Sequence, residues 1–246
     1  RYIYNSSCWK DWRHYFLSAK AHNTLYVDDH EMGTVPGVTR TRGVRTYLHA
    51  FEENENYQLI DISHNGYDFM DDPMFHRRRV VRLAGDIFVI EDRVTGICHS
   101  EHDIRLYYNF AFGHLEQDGE SFAYTSQKGR PYTVTVQADK PLDFEILEGS
   151  EEPIGGWISY GYAWRKPIPQ LIAKHAGKAP IHFVTVLAPA GTKAQAAIKG
   201  DAADIIIVGK LRNAVGKLGA RGVKRADVVD GAALGVVEIV RVVGLY

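Results

Sequence analysis

Three short stretches carry the side chains that can do chemistry. They are His22-Asn23-Thr24, His64-Asn65-Gly66-Tyr67 and the basic run His76-Arg77-Arg78-Arg79. Imidazoles exchange protons near neutral pH or bind metal ions, and guanidiniums pair with carboxylates or sulfates. His22, Asn23, Tyr67, Arg77 and Arg79 are the side chains to weigh. Each stretch also has a plain structural explanation. A histidine on a strand can be a satisfied core residue, Asn65-Gly66 reads as a turn, and an alternating basic run can be a solvated face.

The elements that must position these groups read as strand after strand. Tyr15, Leu17 and Ala19 alternate with His14, Phe16 and Ser18, which predicts a strand ahead of His22. Further strands are expected at Tyr2–Asn5, Thr24–Asp28, Val44–Phe51, Tyr57–Ser63, Ile104–Phe112, Phe122–Ser126, Tyr132–Ala138 and Phe144–Leu147. Phe75–Leu83 and Ile87–Val94, joined at Ala84-Gly85-Asp86, predict a hairpin. Ile181–Leu187 is almost continuously apolar, as a strand buried on both faces would be. From Ala194 onward, Ala, Val, Gly and Lys dominate, and more strands with weaker specification are expected. No stretch shows a convincing helical period. The sum is an all-β protein, a large antiparallel β-sandwich of two stacked sheets, taken as one domain over residues 1–246.

Composition narrows the function classes. The 29 Lys+Arg nearly cancel the 30 Asp+Glu, so no global basic field or basic tail points to nucleic acid. No apolar run is long enough to span a membrane. The two cysteines, Cys8 and Cys98, are too few for a disulfide framework. The chain opens on Arg-Tyr-Ile-Tyr-Asn, which reads as a strand already under way, and the expectation is a fragment of a longer protein.

The order of motifs resembles a known family. Trp12-x-x-Tyr-Phe-x-Ser-x-x-Ala-His-Asn-Thr-Leu-x-Val-Asp28, then Ser63-His-Asn-Gly-Tyr67, then His76-Arg-Arg-Arg-Val and Gly85-Asp-x-Phe-Val-Ile-x-Asp-Arg-Val-Thr-Gly96 are similar to the C-terminal β-sandwich of heparinase II/III-like polysaccharide lyases. Gly156-Trp-x-Ser159 and Ala179-Pro-Ile-His-Phe-Val-Thr-Val-Leu-Ala-Pro189 also suit it. The resemblance runs from about Tyr4 to Pro189.

It implies a lyase that cleaves a uronate-containing glycan by β-elimination, such as a glycosaminoglycan or alginate, in a periplasmic or secreted setting. An N-terminal α/α-toroid, absent from this chain, would supply a Tyr and an Asn or His. The sandwich would supply one wall of the cleft, His22 as the catalytic proton-transfer group, and Asn23, Tyr67, Arg77 and Arg79 as contacts to the acidic glycan. No cofactor is required, but some members hold structural zinc, for which His22 and His64 would be two ligands. The third ligand stays open among Asp28, Asp29, Asp61 and Asp68, because residues 38–45 show no recognisable Asp. The other reading is a non-catalytic sandwich that binds carbohydrate or packs on a partner domain, with Trp9, Trp12, Trp157, Tyr160, Tyr162 and Trp164 as its aromatics.

Overall fold

The computed structural model describes residues 10–33, 43–55, 57–97, 99–161 and 163–199, and beyond these the backbone of four strands between 202 and 243. The expected Tyr2–Asn5 strand, Cys8, Trp9, Cys98, Tyr162 and residues 38–42 lie outside the described residues.

The first described element is not the expected strand. Lys10–Leu17 is a helix, α1, followed by a 3₁₀ turn at Ala19–Ala21, where a strand was expected. Trp12, Tyr15, Phe16 and Ala19 are buried and spaced i, i+3, i+4, i+7, while Leu17 is 59% exposed. That is a helical stripe. The alternation over Tyr15–Ala19 is a short-window coincidence of two periods.

Strands follow in order: β1 Leu25–Val27, β2 Thr46–Glu53, β3 Tyr57–Tyr67, β4 Met74–Leu83, β5 Ile87–Gly96, β6 His102–Asn109, β7 Gly113–Asp118, β8 Ser121–Ser126, β9 Pro131–Ala138 and β10 Asp143–Glu148. Two small hairpins come next, β11 Ser150–Glu151 with β12 Ile154–Gly155, and β13 Trp157–Gly161 with β14 Trp164–Pro167. The long strands β15 Pro169–Gly177 and β16 Ile181–Pro189 complete the two large sheets. One sheet has eight strands in the order β2-β3-β4-β5-β16-β9-β8-β7, the other four in the order β1-β6-β15-β10. The two stack as an antiparallel sandwich, the expected architecture. Beyond them β17 Lys193–Lys199, β18 Ala202–Val208, β19 Gly219–Ala220, β20 Val223–Val229 and β21 Val237–Val243 form a five-stranded sheet.

The main core fills the space between the stacked sheets. Leu106 and Leu171 from the smaller sheet meet Met74, Val94, Phe122 and Phe183 from the larger. A second cluster, with Leu59, Val81, Val89 and Val186, occupies the opposite face of the larger sheet and is covered in part by Ala194 and Ile198. This explains the apolar run in β16, which lies between β5 and β9. Phe183 faces one cluster and Val184 the other.

The hairpin β4–β5 forms where expected. Gly85 and Asp86 turn the chain in the left-handed region, at φ 80° and 57°. Asn65-Gly66 is not a hairpin turn. It lies inside β3 at a register shift between His64 and Tyr67, a bulge that keeps pairing with β4. A Cβ at Gly66 would come within 2.9 Å of both His64 Nδ1 and the Met32 side chain. Close packing, rather than chain reversal, therefore requires the glycine.

A buried clamp ties β1 to β6. Asp28 follows β1 with φ 49°, and its Oδ1 accepts from the Asp103 amide at 2.7 Å. Its Oδ2 lies 2.6 Å from His102 Nδ1, and Asp72 Oδ2 lies 3.2 Å from His102 Nε2. Burial disfavours the imidazolium, but hydrogen bonds and charge from Asp28 and Asp72 outweigh it and raise the His102 pKa. The stability that this clamp contributes is fully present below the ordinary pKa of about 6.5 and is lost as pH rises through the elevated folded value. The stability gap between wild type and His102→Asn, measured by urea unfolding, should therefore be largest at pH 6 and shrink toward pH 9. A gap that widens with pH would refute the clamp's charged state.

Candidate functional site

The site is built where the first strand segment meets the inner face of the larger sheet. His22 follows the 3₁₀ turn and is exposed. Its Nδ1 lies 2.7 Å from the Ser18 carbonyl. A carbonyl only accepts, so Nδ1 carries the proton, and the neutral ring keeps its basic lone pair on Nε2. That is the form needed to take up a proton. Glu31 stands beside this segment, and its Oε2 accepts from the Ala19 amide at 2.9 Å. Burial raises the Glu31 pKa, opposed by that hydrogen bond and by the neighbouring Lys20 charge. Nothing in its sequence surroundings marks Glu31 as special.

Asn23 is held twice. Its backbone carbonyl accepts from Arg78 Nη1, and its Oδ1 accepts from the Asn109 amide at 2.7 Å. Gln170, buried in β15, extends this frame by donating to the Lys20 carbonyl at 2.7 Å and to Asn109 Oδ1 at 2.6 Å. Gln170 also reaches the Tyr15 hydroxyl at 3.4 Å. Burial pushes the Tyr15 pKa up to about 12, so the phenol is neutral. The helix, the 3₁₀ turn and both sheets thus fix the backbone on either side of His22.

Behind Asn23 lies a continuous buried polar chain. Arg78 grips Asp92 with Nε at 2.6 Å and Nη2 at 3.0 Å. His76 Nε2 adds a contact to Asp92 Oδ1 at 2.6 Å, and His76 Nδ1 lies 3.0 Å from His64 Nε2. The Gly66 amide donates to His64 Nδ1 at 3.1 Å. An amide only donates, so the proton of neutral His64 is on Nε2 and points to His76. His76 in turn donates to Asp92, and every ring nitrogen in the chain has one role. Full burial would raise the Asp92 carboxyl, but the Arg78 charge and the His76 hydrogen bond hold it at about 2. Burial, with the Arg78 charge nearby, lowers His64 to about 4.

The structure divides the basic run. Alternation along β4 turns His76 and Arg78 inward toward Asn23, and Arg77 and Arg79 to the opposite face of the sheet. There Arg77 Nε meets Asp61 Oδ1 at 2.8 Å. Arg79, only 6% exposed, bridges Asp61 at 3.0 Å and Glu91 at 2.9 Å. These two arginines, with Glu91 and Arg93, line a small cleft away from the His22 segment. Arg78, which is not among the expected contacts, is the arginine at the site. Strand period separates it from its neighbours in the sequence, but only the fold shows which face of β4 meets Asn23. Tyr67, also expected to touch substrate, is 1% exposed and donates to the Leu25 carbonyl at 2.9 Å. It belongs to the core.

The zinc expectation meets a specific obstacle. Both nitrogens of His64 are already engaged by protein groups, Nδ1 by the Gly66 amide and Nε2 by His76. Among the described residues, no three His, Cys, Asp or Glu side chains gather around a metal position. Of the open third ligands, Asp28 and Asp61 are committed to His102 and to the arginines, Asn65 Nδ2 donates to Asp68 at 2.6 Å, and Asp29 pairs with Lys20 and Arg105 at 3.2 Å. The described residues therefore do not form the expected zinc site.

Two outcomes test this network. Replacing Arg78 by Gln leaves the Asp92 charge buried without its partner, which should destabilise the protein by about 3–5 kcal/mol in chemical unfolding. His64 gives the opposite pH sense to His102. The unfolded chain takes up a proton near pH 6.5 and folded His64 only near pH 4. Its contribution is thus intact above pH 6.5 and lost as pH falls toward 4, by at most ~3 kcal/mol. His64→Asn should flatten the fall in stability between pH 6.5 and 4.5. An unchanged slope would show that His64 stays neutral for another reason.

Comparison with known proteins agrees with this architecture. The chain superposes on a heparan sulfate lyase HepC mutant from Pedobacter heparinus with TM-score 0.65 and 14% identity, covering 85% of this chain and 32% of that one. It superposes on heparinase III with TM-score 0.62 and 18% identity, covering 80% of this chain and 29% of that one. At these identities the likeness is one of fold, and the chain spans about a third of the length of these structures. No curated protein sequence matches it. Residues 1–197 match the family described as Heparinase II/III-like, C-terminal, and the chain belongs to that family.

Proposed function

We propose that this chain forms one wall of the cleft of a polysaccharide lyase, and that His22 transfers a proton during β-elimination on a uronate-containing glycan. The observation that carries the reading is the Ser18 contact at 2.7 Å, which puts the His22 proton on Nδ1 of a ring held on a braced, exposed segment. Membership of a family of lyases supports the reaction class. One of the superposed proteins is a heparan sulfate lyase, which supports an acidic glycosaminoglycan as the substrate class here.

The chemistry fits these residue types. In β-elimination the C5–H bond breaks, its electron pair forms the C4–C5 double bond, and the C4–O bond to the leaving sugar breaks. The departing oxygen takes a proton. The C5 proton is weakly acidic while the adjacent carboxylate is charged, so donors must stabilise the enolate-like charge that develops. Neutral His22 can accept a proton at Nε2 and return it. In this reading a helical toroid outside the chain supplies a tyrosine and an Asn or His, which complete the acid–base set. Arg78 acts through Asn23 and does not touch the substrate.

The test uses the intact protein that carries this chain. His22→Ala should lower the rate of unsaturated product formation, followed by ultraviolet absorbance, by about 10²–10⁴-fold. The exposed position of His22 predicts an unchanged melting temperature. Turnover of acidic glycans at the wild-type rate in His22→Ala would remove this residue from the mechanism.

A further inference from the structure

The β13–β14 hairpin displays aromatic rings that the core does not use. Tyr160 is 64% exposed. Its ring centroid lies 5.4 Å from that of Trp164 with the planes tilted by 32°. Phe112 meets Tyr160 edge-on at 6.3 Å and props the ring from one side. The Lys166 ammonium stands 5.6 Å from the Trp164 ring.

Alternation along β14 separates this surface from the packing surface of the same hairpin. Arg165 turns the other way, 3.6 Å from the Trp12 ring centroid and 4.9 Å from that of Trp157. It also pairs with Glu151 at 3.1 Å. Trp12 and Trp157 meet edge to face at 5.2 Å. The seating of α1 on the hairpin therefore accounts for Trp157 and Arg165. It does not account for Tyr160, Trp164 or Lys166.

We infer that Tyr160, Trp164 and Lys166 form a sugar-stacking subsite that holds a uronate residue of the glycan, away from the residue being cleaved. The subsite rests on the lyase reading for its glycan and extends it. An aromatic face is electron-rich and attracts the partly positive C–H groups on the flat side of a pyranose. The two rings pack in a tilted, offset arrangement and present one outward aromatic face with few rotatable bonds, so little freedom is lost on binding. Lys166 beside that face supplies the charge that a uronate carboxylate seeks. Mixed apolar faces with one placed cation are what carbohydrate acids require, whereas a neutral apolar partner would leave the ammonium stranded.

The subsite is also connected to His22. Phe112 follows Asn109 by three residues, at most about 11 Å of chain. Asn109 is bonded through its amide to Asn23 Oδ1 at 2.7 Å. A glycan several residues long can lie across both places.

The experiment compares the intact wild-type protein with a Tyr160→Ala, Trp164→Ala double variant and with Lys166→Gln. The probes are heparan sulfate, hyaluronan and alginate hexasaccharides and the matching disaccharides, with binding measured by calorimetry and turnover by ultraviolet absorbance. At least one hexasaccharide should bind wild type. The double variant should bind it at least tenfold more weakly, with KM raised in proportion and kcat unchanged, and with disaccharide binding unaffected. Lys166→Gln should weaken it several-fold and reduce the salt dependence of binding. Hexasaccharide affinity unchanged in the double variant overturns the subsite, as does wild type that binds none of the three. A lower melting temperature with unchanged affinity overturns it too, and marks the hairpin as a packing surface. Because Tyr160 is exposed, the single Tyr160→Ser variant keeps the test open if the double variant fails to fold. Hexasaccharide binding that depends on Tyr160 in a protein that forms no unsaturated product would leave the subsite standing and sink the lyase reading. Turnover with hairpin-independent binding would do the reverse.

Discussion

A carboxylate with no exposure to water sits at the centre of this molecule. Asp92 is 0% exposed, and such a charge persists only where cations and donors replace its hydration. Arg78 supplies two guanidinium contacts and His76 a third. The arrangement satisfies Asp92, then uses the remaining arm of Arg78 to hold the Asn23 carbonyl. Through that one guanidinium, a segment with little regular structure is fastened to the middle of an eight-stranded sheet. The position of His22 depends on an ion pair that is itself buried.

The same physical rule explains why the sandwich can carry polar chemistry on both faces of one strand. Along β4, His76 and Arg78 serve the inner chain, and Arg77 and Arg79 serve Asp61 and Glu91 on the other side. Each charged group has a counter-charge across the neighbouring strand, because cross-strand partners stand side by side on one face. The pairings Asp61↔Arg79 and Arg78↔Asp92 are fixed by strand register. A slip of one residue would exchange the two faces and break both networks.

The aromatic residues divide in a comparable way. Trp12, Tyr15 and Phe16 are consumed by the seating of α1 beside Trp157, and Tyr67 and Tyr108 are spent on the core. Tyr108 even donates to Thr185 across the sheets at 2.8 Å. Among the described residues, Tyr160 at the tip of the β13–β14 hairpin stays outside, as do Tyr47, Phe51, Phe69 and Phe75. Placement, not residue type, separates the aromatics that build the domain from those that can meet a ligand.

Much of this was legible in the sequence. Alternation, turn residues and the apolar run at Ile181–Leu187 were sufficient for the antiparallel sandwich, since strand period and turn chemistry are local properties. The family motifs pointed to His22. The errors arose where two local patterns compete or where a partner lies far along the chain. The eight-residue α1 is short enough for its stripe to pass as strand alternation, and only burial against Trp157 distinguishes them. Asn65-Gly66 has turn chemistry, but pairing with β4 makes it a bulge. His64 looks like a metal ligand until Gly66 and His76 are seen to occupy its two nitrogens. The choice of Arg78 over Arg77 and Arg79 required knowing which face of β4 meets Asn23, 55 residues earlier. Sequence determined which residues could do chemistry, because that follows from side-chain type. Tertiary structure decided which of them are left to do it, because a buried charge or ring is committed by neighbours that only the fold brings together.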